Sequence, residues 1–404
     1  MPFEWRLWAF RRHAMRAVKN AQVWGGEGKP SILFINHFFD TDVEALGASI
    51  GEGRMVVLDA AQMFRLAPPL FPEDVRRFER PYTDTPQRVR RRYAATVRAI
   101  LRKLITEHNV QAVGSTSDIF YWYRAFTEVA PELGLLRFVV DKEGTISPWY
   151  FEHESRRIQA LTPFASDVIY VWSKQQHAYW LKAGAPPAAI RVVGQPRSDL
   201  RVQGTGLEQP EGVHTPLVTW FAFETDAYVP RDEPGEQHLW LNLREGCMKA
   251  MQDLADLHPT TSFVVKLHPQ EPDTAFYESH AQNHPNLKVL RDSRSANWLL
   301  MNSHAVVAFQ STVAIEAGSH GIKTYYPAWN EHLDRLRDHL LPVEDMPHVR
   351  SVHEPNELVE QIHLDLQQPA PIRLATKTNP YIEHADGQVC ARIVADLDQL
   401  LCDT

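Results

Sequence analysis

Two short polar clusters, each set directly after an apolar run, carry residue types that handle phosphate. Phe263-Val264-Val265 leads into Lys266-Leu267-His268-Pro269, and Ala305-Val306-Val307-Ala308-Phe309 leads into Gln310-Ser311-Thr312. Lysine and histidine can neutralise phosphate oxygens. Ser311 and Thr312 open a helical pattern, Val313-Ala314-Ile315-Glu316-Ala317, with stops expected at Gly318 and Gly321. Free backbone N–H groups and the positive dipole end at such a start favour an anion. Simpler readings exist for each piece: His-Pro is common in turns, and Ser or Thr before a helix is first of all an N-cap. Their order joins them. Each follows what reads as a buried parallel strand, and open α/β sheets bind ligands beyond the carboxyl ends of their strands.

The elements needed to hold these clusters recur along the chain. Apolar runs predict strands at 31–35, 55–58, 110–113, 136–140, 168–172 and 190–193. Helical periodicity fills the gaps, most clearly over 87–108, where Val89, Ala94, Val97, Ile100, Leu101 and Leu104 share one face. The loops after these strands hold His37 and Asp40, then Asp141-Lys142-Glu143-Gly144, then Gly194-Gln195-Pro196-Arg197-Ser198-Asp199. Residues 201–215 read as a linker. A second series opens with a strand at 217–223 and a loop carrying Glu224, Asp226, Arg231, Asp232, Glu233 and Glu236. A helix to about 257, the two clusters, a strand at 348–352 and a helix over 355–366 follow. Strands alternating with helices predict α/β architecture with doubly wound parallel sheets. The expected division is an amino-terminal lobe 1–205, a carboxyl-terminal lobe 206–378 and a terminal segment 379–404 whose helix returns to the amino lobe. The carboxyl edges of both sheets would line a central cleft.

Composition narrows the function classes. The chain has 404 residues, 44% hydrophobic and 23% charged, with a formal net charge of −8. That balance is globular, and it argues against wholesale nucleic-acid binding. Cys247, Cys390 and Cys402 show no metal-ligand spacing, which suits a reducing compartment. Without a spanning run or signal core, the expected location is cytoplasmic. Residues 3–24 form a basic, Trp-bearing helical pattern with two readings: a helix lying on the inner face of the cytoplasmic membrane, or one packed on its own domain.

With these residues in place, the chain resembles bacterial surface-polysaccharide transferases. The resemblance rests on Lys266-Leu267-His268-Pro269, on Gln310-Ser311-Thr312 with Glu316, on Gly194-Gln195-Pro196-Arg197-Ser198-Asp199 and on Asp386-Gly387. It is nearest to the retaining β-Kdo transferases of capsule and lipopolysaccharide assembly, which are related to polysialyltransferases and CDP-glycerol transferases. It implies the GT-B fold, two Rossmann-like lobes facing a cleft. It also implies a CMP-Kdo donor, an oligosaccharide or glycolipid acceptor and no metal. In that group His268 and Pro269 would meet the donor phosphate or ribose, Gln310, Ser311 and Thr312 the phosphate, and Glu316 the ribose hydroxyls. Asp141 and Glu143 resemble an acidic-acidic-Gly motif that supplies a base, although Lys142 interrupts it here.

Retention by double displacement needs a carboxylate nucleophile and a base for the acceptor hydroxyl. Asp232 is the first expectation for the nucleophile, with Asp226 and Glu224 behind it. Asp141 or Glu143 is favoured as base, with His37 or Asp40 on the acceptor side as alternatives. Lys266, His268 and the helix start would stabilise the departing phosphate, and Arg197 is either a further donor contact or a hinge-region surface charge. Competing readings are a CDP-glycerol glycerophosphotransferase, a CMP-sialic acid transferase, a non-catalytic partner protein and, as the weakest, a UDP-sugar epimerase of GT-B shape.

Overall fold

Among the described residues thirteen short strands form two sheets, because the apolar runs are too short for helices and those inside the sheets are buried on both faces. The computed structural model describes residues 3–26, 30–36, 40–51, 53–59, 70–117, 119–142, 146–204, 207–226, 229, 238–268, 271–292, 295–369 and 379–402. The chain divides into two compact units. One comprises Met1–Gly144, Phe151–Asp199 and Asp386–Thr404, the other Thr145–Tyr150 and Leu200–Ala385.

The first unit contains β1 (Gln22–Gly25), β2 (Ser31–Asn36), β3 (Arg54–Asp59), β4 (Val110–Ser115), β5 (Leu136–Val140), β6 (Val168–Val171) and β7 (Ile190–Val192). They order as β1-β3-β2-β4-β5-β6-β7, parallel except for β1, which runs antiparallel to β3. Every residue of β2 is buried, as a strand covered on both faces requires. Gly114 of β4 faces Phe138 of β5, and a Cβ there would sit 2.1 Å from the phenyl ring. The helix Gln87–His108 has the predicted bounds and stops at Asn109, whose left-handed φ of 52° closes it.

One expectation fails at the amino terminus. The helix runs only over Phe3–Lys19, and Gln22–Gly25 turns back as the antiparallel edge strand. Trp24 there packs against Gly47, where a Cβ would lie 2.7 Å from the indole. Phe10, Ala14 and Val18 are the buried residues of this helix. Among the described residues no helix is long and apolar enough to cross a membrane.

The second unit contains β8 (Leu217–Phe221), β9 (Ser262–Lys266), β10 (Leu287–Leu290), β11 (Ala305–Ala308), β12 (Thr324–Pro327) and β13 (Val349–Val352). All six are parallel, in the order β10-β9-β8-β11-β12-β13. The winding reverses between β8 and β11, which is the Rossmann arrangement and makes that gap the switch point. Residues read as a linker are partly ordered structure: Ser198–Gln203 is helical, and His214 N–H donates to Ser262 Oγ at 3.0 Å.

The helix after β11, Thr312–Ser319, passes through Gly318 instead of stopping there. The missing side chain makes room for the His348 imidazole, which a Cβ would meet at 1.8 Å. His348 Nε2 lies 2.9 Å from the Ala314 carbonyl on the same helix. Beyond it, Asn379 Nδ2 donates to Ile315 O and Ser319 Oγ, both at 2.9 Å.

Candidate functional site

Parallel pairing brings the two clusters to one edge of the second sheet. Phe221 pairs in register with Lys266 and with Ala308, so β8, β9 and β11 end level with one another. The residues just past those ends are Glu224, His268 and Ser311, flanking the switch point where a Rossmann sheet admits its ligand.

Glu224 and His268 meet directly. Glu224 Oε1 lies 3.0 Å from His268 Nδ1, and the side chains keep 36% and 44% of their exposure. A carboxylate this close to Nδ1 orients the imidazole ring. Two residues expected in different roles, nucleophile and donor contact, therefore lie against each other.

Ser311 is the N-cap of the helix Thr312–Ser319, its Oγ accepting from Val313 N–H at 3.2 Å. The simpler reading of this hydroxyl is thus realised. Thr312 takes the first helical position and is half-buried. Gln310 adopts a left-handed φ of 46° and turns its amide inward. There Nε2 donates to Tyr326 Oη at 2.9 Å and Leu341 O at 3.2 Å, while Oε1 accepts from Leu341 N–H at 2.6 Å. With its amide so occupied, the side chain pins the 341 loop, which corrects its assignment to the phosphate.

Two more expected donor contacts are buried. Lys266 is held inside, donating to Leu267 O at 2.9 Å, and burial pushes its pKa down against the pull of Asp292. Its ammonium braces the strand end. Glu316 forms a buried ion pair with Arg201, whose Nε also donates to Asn297 Oδ1 at 2.8 Å. Exposures of 2% and 3% leave that carboxylate no access to a ribose, a second correction. Arg201 had no signal in the sequence, since its partner lies far along the chain and only the fold joins them.

Asp226 accepts from the His238 N–H ahead of the helix Leu241–Leu257, and Thr225 Oγ1 lies 3.0 Å from His238 Nδ1. Asp226 therefore fastens its loop. Asp232, Pro269, Glu143 and His37 lie outside the described residues.

The remaining candidates belong to the first unit. Asp141 is buried beyond β5, and its Oδ2 accepts from Trp180 Nε1 at 2.7 Å and Gln176 Nε2 at 3.2 Å. A carboxylate so engaged anchors the helix Lys174–Lys182, which corrects the expectation of a base. Asp40 is exposed after β2, accepting from Asn36 Nδ2 at 2.6 Å. Arg197 is no surface charge: its guanidinium meets Asp42 Oδ2 at 3.0 Å and stacks 4.8 Å from the Trp172 ring centre. Its backbone N–H also donates to Asp42 Oδ1 at 3.1 Å. Asp42, missed in the sequence, was signalled only as a second acid beginning a helix. Asp199, from the same loop, accepts from Val389 N–H at 3.1 Å and Cys390 N–H at 2.7 Å, and so caps the last helix.

No protein-family model matches the sequence, and no curated protein does. Solved structures do. A candidate UDP-N-acetylglucosamine 2-epimerase from Listeria monocytogenes superposes with a TM-score of 0.58 at 16% identity, covering 93% of this chain and 98% of its own. A UDP-GlcNAc 2-epimerase from Neisseria meningitidis, bound to UDP-GlcNAc, gives 0.56 at 14%, covering 92% and 100%. One from Methanocaldococcus jannaschii gives 0.52 at 11%, covering 91% and 99%. The chain has the GT-B fold of these proteins. The expectation of a transferase using CMP-Kdo is overturned by them, since the neighbours are nucleotide-sugar epimerases. Identities this low carry the fold and not the activity.

Proposed function

We propose that the chain is an enzyme acting on a UDP-linked N-acetylhexosamine, inverting a sugar carbon instead of transferring the sugar. The observation that carries this reading is the Glu224–His268 pair beside the helix start at Ser311. A proton-handling group next to an anion-binding helix start suits chemistry in which a proton moves while a nucleoside diphosphate leaves. The hydrogen on C2 of such a sugar has no adjacent carbonyl to acidify it. Its removal is easiest when the phosphate on C1 departs, and the phosphate returns after the proton is delivered to the other face. His268, oriented by Glu224, would move the proton. The Thr312 amide and the positive dipole end of its helix would hold the departing phosphate, with no metal ion required. Support comes also from fold neighbours bound to UDP-GlcNAc, or to UDP-GlcNAc and UDP.

The test is incubation with UDP-GlcNAc in deuterium oxide, with and without a chelator. Formation of the manno epimer with deuterium at C2, undiminished by chelation and lost in His268→Ala, is the expected result. Thermal stabilisation by UDP and not by CMP should accompany it, about 2.7 kcal/mol at a hundredfold excess over Kd. Unchanged, unlabelled substrate would sink the reading.

A further inference from the structure

The helix Phe3–Lys19 is split into two faces with different tasks. One face buries Phe10, Ala14 and Val18 against the first unit. Its sole acid, Glu4, is drawn to Arg88 and Arg92 of the helix Gln87–His108. The opposite face is a continuous stripe: Trp5, Trp8, Arg12, Arg16 and Lys19 recur at three- and four-residue steps, which an α-helix turns to one side. Trp5 and Trp8 are 62% and 54% exposed, among the largest apolar surfaces left open, and their rings meet edge to face at 6.0 Å. The Arg12 guanidinium lies 5.4 Å from the Trp8 ring centre. Arg11, Arg12, Arg16 and Lys19 form no ion pair among the described residues. This basic helix, with five Lys and Arg to one Glu, belongs to a chain of net charge −8.

We infer that the Trp5–Lys19 stripe docks the protein on an anionic lipid surface. Indole rings are amphipathic and settle at the headgroup level, while arginine and lysine beside them attract acidic headgroups. The packed face fixes the helix, so the stripe is presented without an ordering cost at binding. A second copy of the chain is the poorer occupant, because a two-fold contact would set basic residues against basic residues. The inference stands on this helix alone and does not depend on the reaction.

The test is flotation of the full-length protein with vesicles of phosphatidylcholine alone or of equal parts phosphatidylcholine and phosphatidylglycerol, at low and high salt. The expected result is flotation with the acidic vesicles only, weakened by salt. Arg12→Ser, Arg16→Ser and Lys19→Ser should each lower the partition about fivefold. Trp5→Ala/Trp8→Ala should lower it about tenfold with an unchanged melting temperature, since neither indole is buried. Equal partition of variant and native protein, equal binding to both vesicle types, or no flotation would overturn the inference. A native dimer by light scattering that Trp5→Ala/Trp8→Ala turns into monomer would overturn it too, in favour of a second copy.

Discussion

At the scale of single residues, the site rests on which charges reach solvent. Glu224→Gln keeps the shape beside His268 but removes the carboxylate that orients the imidazole, whereas His268→Ala removes the proton carrier. Epimerisation should fall about a hundredfold or more in His268→Ala and less in Glu224→Gln, measured as kcat with melting temperatures unchanged. Glu316 predicts a different outcome, a loss of stability. Glu316→Gln strands the buried Arg201 cation and should cost about 3–5 kcal/mol in urea unfolding, while Arg201→Met/Glu316→Leu should recover most of it. The place of His268 at a sheet edge was legible in the sequence, because its His-Pro step follows an apolar run. Its partner was not: Glu224 stood among several acids of one loop, and only the adjacency of β8 and β9 selects it. Glu316, Gln310 and Asp141 misled because residue type shows chemical capacity, while burial decides whether a ligand can use it.

At the scale of elements, the helix Thr312–Ser319 gives the sharpest test. Glycine within a helix ordinarily costs about 1 kcal/mol relative to alanine, so Gly318→Ala would be expected to stabilise. Here it should destabilise by about 1–3 kcal/mol, because the new methyl collides with His348; chemical denaturation decides the sign. The same histidine predicts a pH dependence. Burial lowers its folded-state pKa, so the unfolded chain takes up a proton first. Stability should be full above the ordinary value near 6.5 and decline as pH falls from there toward the lowered one. A melting curve series from neutral to mildly acidic pH should show this, with a smaller decline in His348→Gln. Long periodic elements were readable: the helices Gln87–His108 and Pro355–Leu366 fall on their predicted bounds. Three short strands were not. Leu287–Leu290, Thr324–Pro327 and Gln22–Gly25 each span four residues, too few for a periodicity, and the last lay inside a helical pattern.

At the scale of the whole molecule, alternation of strands and helices was enough to read two α/β lobes, the family resemblance supplied the GT-B fold, and neither was enough to read the reaction. Transfer and epimerisation both need a site that receives a departing nucleoside phosphate, so the residues for that task look alike in either enzyme. The layout of the two units carries its own prediction. Residues 200–385 form nearly all of the second unit, and produced alone they should unfold cooperatively in urea. Residues 1–199 should not, because Asp199 caps the helix Val389–Cys402 and Asp396 of that helix receives Tyr170 Oη at 2.9 Å. Adding residues 386–404 as a separate peptide should restore a cooperative transition.

That return of the last helix also sets an order in time. A ribosome releases residues 200–385, nearly all of the second unit, in one stretch, so that unit can fold while synthesis continues. The first unit begins earlier and must wait for residues 386–402. A nonsense codon just ahead of residue 386 would therefore damage the unit whose residues were translated first.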